Sequence, residues 1–139
     1  MTNDDIVQIY QLLGLYGHLI DSRDWGRLAE IFTPDVIFDA SDLHHRVEGL
    51  PAVQAMMDDP RAPHPLAHHI TNPYVWQEPD GTVHARSKLV GVIAEARVGT
   101  GTYFDTLVAT EAGWRIAHRE FRLRRESAML RDLPKYKPL

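Results

Sequence analysis

From Leu66 onward the sequence changes period. "AHHITNPYVWQE", "TVHARSKLVGVIAEA", "GTYFDTLVAT" and "WRIAHREFRLR" are four strand-like runs, rich in β-branched and aromatic residues. They are separated by "PDG", "RVGTG" and "EAG", which are hairpin punctuation. Four hairpin-linked strands make an antiparallel sheet, and one face of that sheet has to be covered by something apolar.

The first half of the chain supplies the cover. In "DIVQIYQLLGLYGHLI" the residues Ile6, Ile9, Tyr10, Leu13, Tyr16 and Ile20 recur at spacings of three and four, which draws one face of a helix over 5–20. Thr2, Asn3 or Asp4 can cap its start. Residues 21–33 read as a second, short helix burying Trp25, Leu28, Ile31 and Phe32, and ended by Pro34, which cannot continue helical hydrogen bonding. "DVIFDA" is a strand, "HRVEG" a short extended piece, and "LPAVQAMMDDP" a helix with one proline in its first turn and another past its end. Helices first and strands last make the class α+β: a curved antiparallel sheet wrapped around N-terminal helices and enclosing a pocket. Residues 1–126 form one domain, and 127–139, with Pro134 and Pro138, form a tail serving as arm or lid.

Composition removes several classes of function. The 139 residues include no cysteine, which excludes disulfides, thiol nucleophiles and Cys-ligated metals. The net charge of -4 argues against a general nucleic-acid or anionic-membrane surface; only "HREFRLRR" is locally basic. No secretory leader is read in "MTNDDIVQIY", and no apolar run nears the ~20 residues that cross a bilayer. A cytoplasmic protein with no membrane or nucleic-acid partner is expected. "GTGT" at 99–102 lies between strands and opens no helix, so it is no phosphate cradle, and no cofactor signature is found. His64 and His68 stand four apart, but metal ligands at that spacing belong on a helix.

Two places carry chemistry. Asp21 stands where the first helix breaks, with Tyr16 in its last turns, and it serves either as a helix cap or as a group at the pocket mouth. The second place is the adjacent pair in "PLAHHITNPYVW". Side chains alternate along a strand, so His69, Thr71, Pro73 and Val75 share one face, while His68, Ile70, Asn72, Tyr74 and Trp76 share the other. Periodicity does not decide which face is the cavity. An imidazole held by a carboxylate is a competent general base or acid near neutral pH. Arg119 and Asp39 could form a pocket ion pair, but an arginine on a terminal strand is more often structural.

Taken together, "LIDSRDWGRLAEIFTPDVIFDA", "HHITNPYV" and "GTYFDTLVATEAGWRIAHREF" resemble the SnoaL-like branch of the NTF2-like superfamily, and within it the small dehydratase-type lyases. The resemblance covers residues 5–125 and implies a cone-shaped NTF2-like fold. It also implies roles: Asp21 as the catalytic aspartate, His69 as its partner histidine, and Tyr16 and Tyr103 as substrate-binding pocket residues; Asp105 is counted with them as a candidate for protonating the leaving hydroxyl. His69 would take a proton from carbon while Asp21 orients the ring, the carboxylate–imidazole logic of a catalytic triad without the serine. The second histidine of scytalone dehydratase has no counterpart in "SKLVGVIAEA".

The expectation is therefore a cofactor-independent lyase, eliminating water from a cyclic, largely apolar hydroxy or carbonyl metabolite. The alternatives are a ketosteroid-isomerase-like isomerase or aldol cyclase with Asp21 or Asp105 as base, and a non-catalytic small-molecule-binding or dimerisation module. A homo-oligomer, dimer or trimer, is expected, with Tyr74 and Trp76 facing outward at the interface.

Overall fold

The computed structural model describes residues 1–60, 65–93 and 98–123. The tail at 127–139 and His64 lie outside them. Helix α1 spans Asn3–Asp21. A 3₁₀ turn at Trp25–Glu30 leads into strand β1, Phe32–Ala40. After a second 3₁₀ turn at Ser41–Leu43 come β2, His45–Glu48, and helix α2, Leu50–Met57. The chain then runs through β3 (Ala67–Gln77), β4 (Val83–Val92), β5 (Val98–Thr110) and β6 (Gly113–Leu123). The six strands form one curved, unclosed sheet in the order β2-β1-β6-β5-β4-β3.

The α+β class stands, with three differences from expectation. The segment at 21–33 is not a full second helix: only Trp25–Glu30 turns, and Phe32 already belongs to β1. That strand carries Pro34 at a register break between Phe32 and Ile37, where the missing N–H costs no ladder bond. The sheet is not wholly antiparallel, because β1 pairs with β6 in parallel. Finally, β5 begins at Val98, so most of "RVGTG" is strand.

Helix α1 starts on a capping box. The Asp5 backbone N–H donates to Thr2 Oγ1 at 3.2 Å, and the Thr2 N–H donates back to Asp5 Oδ2 at 2.6 Å, which satisfies two of the donors that a helix start leaves orphaned. Trp114, at the start of β6, donates from Nε1 to Asp5 Oδ1 at 3.1 Å and ties the helix start to the sheet. The buried side of α1, Ile9, Leu12, Leu13, Tyr16, Leu19 and Ile20, joins Leu28, Ile31, Phe32, Val36 and the inner face of the sheet in one core. That packing lays α1 along β3 and β6 and delivers its last residue, Asp21, to the first residues of β3.

Candidate active site

Asp21 meets His68, not His69. The His68 backbone N–H donates to both Asp21 oxygens, at 3.1 Å to Oδ1 and 2.9 Å to Oδ2, and its ring Nδ1 lies 2.6 Å from Oδ1. The His68 side chain is only 5% exposed while that of Asp21 is 27% exposed, so the carboxylate joins an enclosed imidazole to solvent. His69, expected as the partner, is exposed and lines the larger cleft at Asp21, but the ring that meets the carboxylate is that of His68.

The reason is one extra residue in β3. Thr71 pairs with Lys88 and Tyr74 with Arg86, so Asn72 and Pro73 together face the single residue Ser87. Asn72 takes the left-handed conformation that this bulge needs, with φ +50°. A bulge of one residue reverses the alternation beyond it. Ile70 and Val75, five apart, therefore both pack on the core, while Tyr74 and Trp76 stack on the outer face at a centroid distance of 5.4 Å. Strict alternation couples an outward Tyr74 to an outward His68; the bulge uncouples them and turns His68 inward. The signal lay in "TNPY", since Asn-Pro is a turn dipeptide inside a strand.

The helix can approach so closely because of Gly17. A β-carbon there would lie 2.8 Å from the His68 carbonyl oxygen. Two clefts meet at Asp21. One, of about 320 Å³, runs between α1 and β3 past Gly14, Gly17 and His18; the other, of about 160 Å³, lies on the side of Trp25, Met57 and Leu66.

Tyr16, Tyr103 and Asp105 are all buried. The Tyr16 and Tyr103 hydroxyls are 3.4 Å apart. Burial pushes both phenols above their usual range; the Arg119 cation pulls back on each, and on Tyr103 the Tyr16 neighbour adds to the rise. Asp105 is held by Arg119: its two oxygens accept from Arg119 Nε and Nη2 at 2.7 and 2.8 Å, with both side chains fully enclosed. Burial opposes the charge on Arg119, but the Asp105 carboxylate overrules it and holds the guanidinium above its ordinary pKa. Of the two readings of Arg119, the structure shows an enclosed pair with Asp105 and not the ion pair with Asp39. Asp39 instead accepts from the Ser41 backbone N–H and from Arg46.

Sequence reasoning missed Ser87, whose hydroxyl is buried on the inner face beside Tyr103. Its Oγ and Arg119 Nη1 have no hydrogen-bond partner among the described residues. Among those residues, no group of three or more His, Asp or Glu is placed to hold a metal ion, and no helix is long and apolar enough to cross a membrane.

A family model described as a SnoaL-like domain matches residues 2–120. Among solved structures, an NTF2-like protein with a cystatin-like fold from Novosphingobium aromaticivorans is 28% identical, over 96% of this chain and 90% of its own, with a TM-score of 0.75. A proposed aromatic ring hydroxylase from the same organism is 25% identical, over 88% of this chain and 91% of its own, at 0.74. A proposed scytalone dehydratase, also from that organism, is 19% identical over 89% of each chain, at 0.70, a likeness of fold alone. No curated protein matches. One architecture carries differently named proteins, so the chemistry has to be argued from the site.

Proposed function

The chain belongs to the SnoaL-like domain family, and from that premise we propose that it is a lyase working by general base and acid catalysis through Asp21 and His68. The observation that carries this reading is the 2.6 Å contact between Asp21 Oδ1 and His68 Nδ1. A ring that donates its Nδ1–H to a carboxylate carries its lone pair on Nε2. That nitrogen takes a proton from the carbon beside a carbonyl, the C–H electron pair becomes the new double bond, and the bond to the neighbouring hydroxyl breaks. The same nitrogen then returns the proton to the departing oxygen, which leaves as water. Asp21 stabilises the imidazolium that forms in between.

A substrate of the cyclic, largely apolar hydroxy-carbonyl class would find apolar surface beside Asp21 in the smaller cleft, at Ile20, Trp25, Met57 and Leu66. The isomerase or cyclase reading with an aspartate base has less support: both Asp21 oxygens accept from His68, and both Asp105 oxygens accept from Arg119.

The test is a panel of cyclic β-hydroxyketones in D₂O, followed by NMR for elimination and for exchange at the carbon beside the carbonyl. His68→Ala should lower the rate on the order of 10² to 10⁴-fold, and His69→Ala should leave it nearly unchanged. The reverse pattern would sink the assignment. We further propose that a second copy covers the outer sheet face at Tyr74, 58% exposed, and Phe104, 36% exposed; light scattering on the wild type and on Tyr74→Lys checks this.

A further inference from the structure

Arg119 sits between two aromatic rings. Its Cζ lies 4.1 Å from the Tyr16 centroid and 4.3 Å from the Tyr103 centroid, well within cation–π range. Asp105 clamps the same guanidinium through two parallel hydrogen bonds, a planar fork that lysine cannot reproduce. Tyr16 in turn meets the His68 ring edge to face, with centroids 6.0 Å apart and planes at 84°, and meets Phe32 in the same manner at 6.0 Å. Tyr103 meets the Tyr16 ring edge to face as well, at 5.6 Å, and a ring held by a cation and by Phe32 and Tyr103, at the density of a protein interior, has little freedom to turn.

We propose that Arg119 is a positioning residue for the Asp21–His68 pair, acting through Tyr16. Asp105 fixes the guanidinium, the guanidinium fixes the Tyr16 ring, and that ring holds the His68 imidazole where Nδ1 meets Asp21. A buried ion pair is weak as a source of stability, because its desolvation offsets most of its attraction. Its use here is orientation. The importance of this device for catalysis rests on the reading of His68 as the reactive base, but the device itself is open to test without any substrate.

The readout is the tautomer of His68, followed by long-range proton–nitrogen correlation on ¹⁵N-histidine-labelled protein and assigned with His68→Gln. The wild type should show one tautomer, protonated at Nδ1. Tyr16→Phe keeps the ring and should keep that tautomer, whereas Tyr16→Leu should give a mixture. The double variant Asp105→Asn/Arg119→Met removes both charges together and should also give a mixture, with a several-fold rise in the minor tautomer. Circular dichroism checks that each variant is folded. Should the double variant not fold, Arg119→Lys decides: it keeps the charge, loses the fork, and should mix the tautomers. A folded double variant or Lys variant with the single wild-type tautomer overturns the proposal, as does a wild type that is itself mixed. If the ring is locked as described and no hydroxyketone is turned over, the lyase reading fails while this one stands.

Discussion

Gly17 of α1 and His68 of β3 are in backbone contact: a β-carbon on the glycine would stand 2.8 Å from the His68 carbonyl oxygen. Gly14, one turn earlier, has nothing within 4 Å of the same construction. The two glycines therefore make opposite predictions. Gly14→Ala should stabilise the protein by about 1 kcal/mol through helix propensity alone. Gly17→Ala should destabilise it by about 1–3 kcal/mol, because backbone must give way, and should lengthen the Asp21–His68 contact. Urea unfolding of both variants checks the order.

The bulge at Asn72 is the second test. Its φ of +50° suits glycine or asparagine and penalises a β-branched side chain. Asn72→Gly should be nearly neutral, while Asn72→Val should cost about 1–2 kcal/mol. Deleting Asn72 should restore plain alternation and force either His68 or the Tyr74–Trp76 stack onto the wrong face. Tryptophan fluorescence together with the histidine spectrum distinguishes the two.

Arg119 and Asp105 should behave as one unit. Arg119→Met leaves a lone carboxylate enclosed and should cost about 3–5 kcal/mol. Adding Asp105→Asn should recover a large part of that loss, so the two changes are far from additive. A double-mutant cycle by denaturant titration measures the coupling, and additive values would mean that the pair is not closed in solution.

The capping box sets a pH response. The Asp5 carboxyl is held below its usual range, first by the Thr2 backbone N–H, then by the Thr2 hydroxyl and Trp114. Because its folded value lies below its unfolded one, its contribution to stability is present above the unfolded pKa of about 4 and is lost as pH falls through the folded value. The gap in thermal midpoint between wild type and Asp5→Ala should be full at pH 6 and should close toward pH 2. A gap that stays constant would show that the charge on Asp5 does no capping.

The class, the four C-terminal strands and the first helix were legible because their signals are local: turn dipeptides, alternation and a polar cap beside a periodic face. The place of Asp21, at the end of that helix, was legible for the same reason. The choice between His68 and His69 was not, because alternation carries information only until the first bulge. The partner of Arg119 was hidden by a second irregularity. Thr110 pairs with Gly113, and counting back from there in plain register sets Asp105 opposite His118; a shift between Thr106 and Leu107 sets it opposite Arg119. The parallel contact of β1 with β6 leaves no local mark at all, since its two edges are joined only by the completed sheet.

That parallel contact also bears on how the molecule is made. Phe32 pairs with Ile116 and Asp39 with Glu120, partners about 80 residues apart in the chain, and such distant pairings are slow to form. On the ribosome β1 and β2 emerge early and must wait for the last strand before they have a neighbour on their inner side. Until β6 arrives, the Phe32 and Phe38 side chains that end up in the core have no finished sheet to complete, and the nascent chain exposes an unpaired edge of the kind that invites association. The final strand thus closes the sheet: until Gly113–Leu123 is in place, β1–β2 and β3–β4–β5 are two separate pieces of sheet.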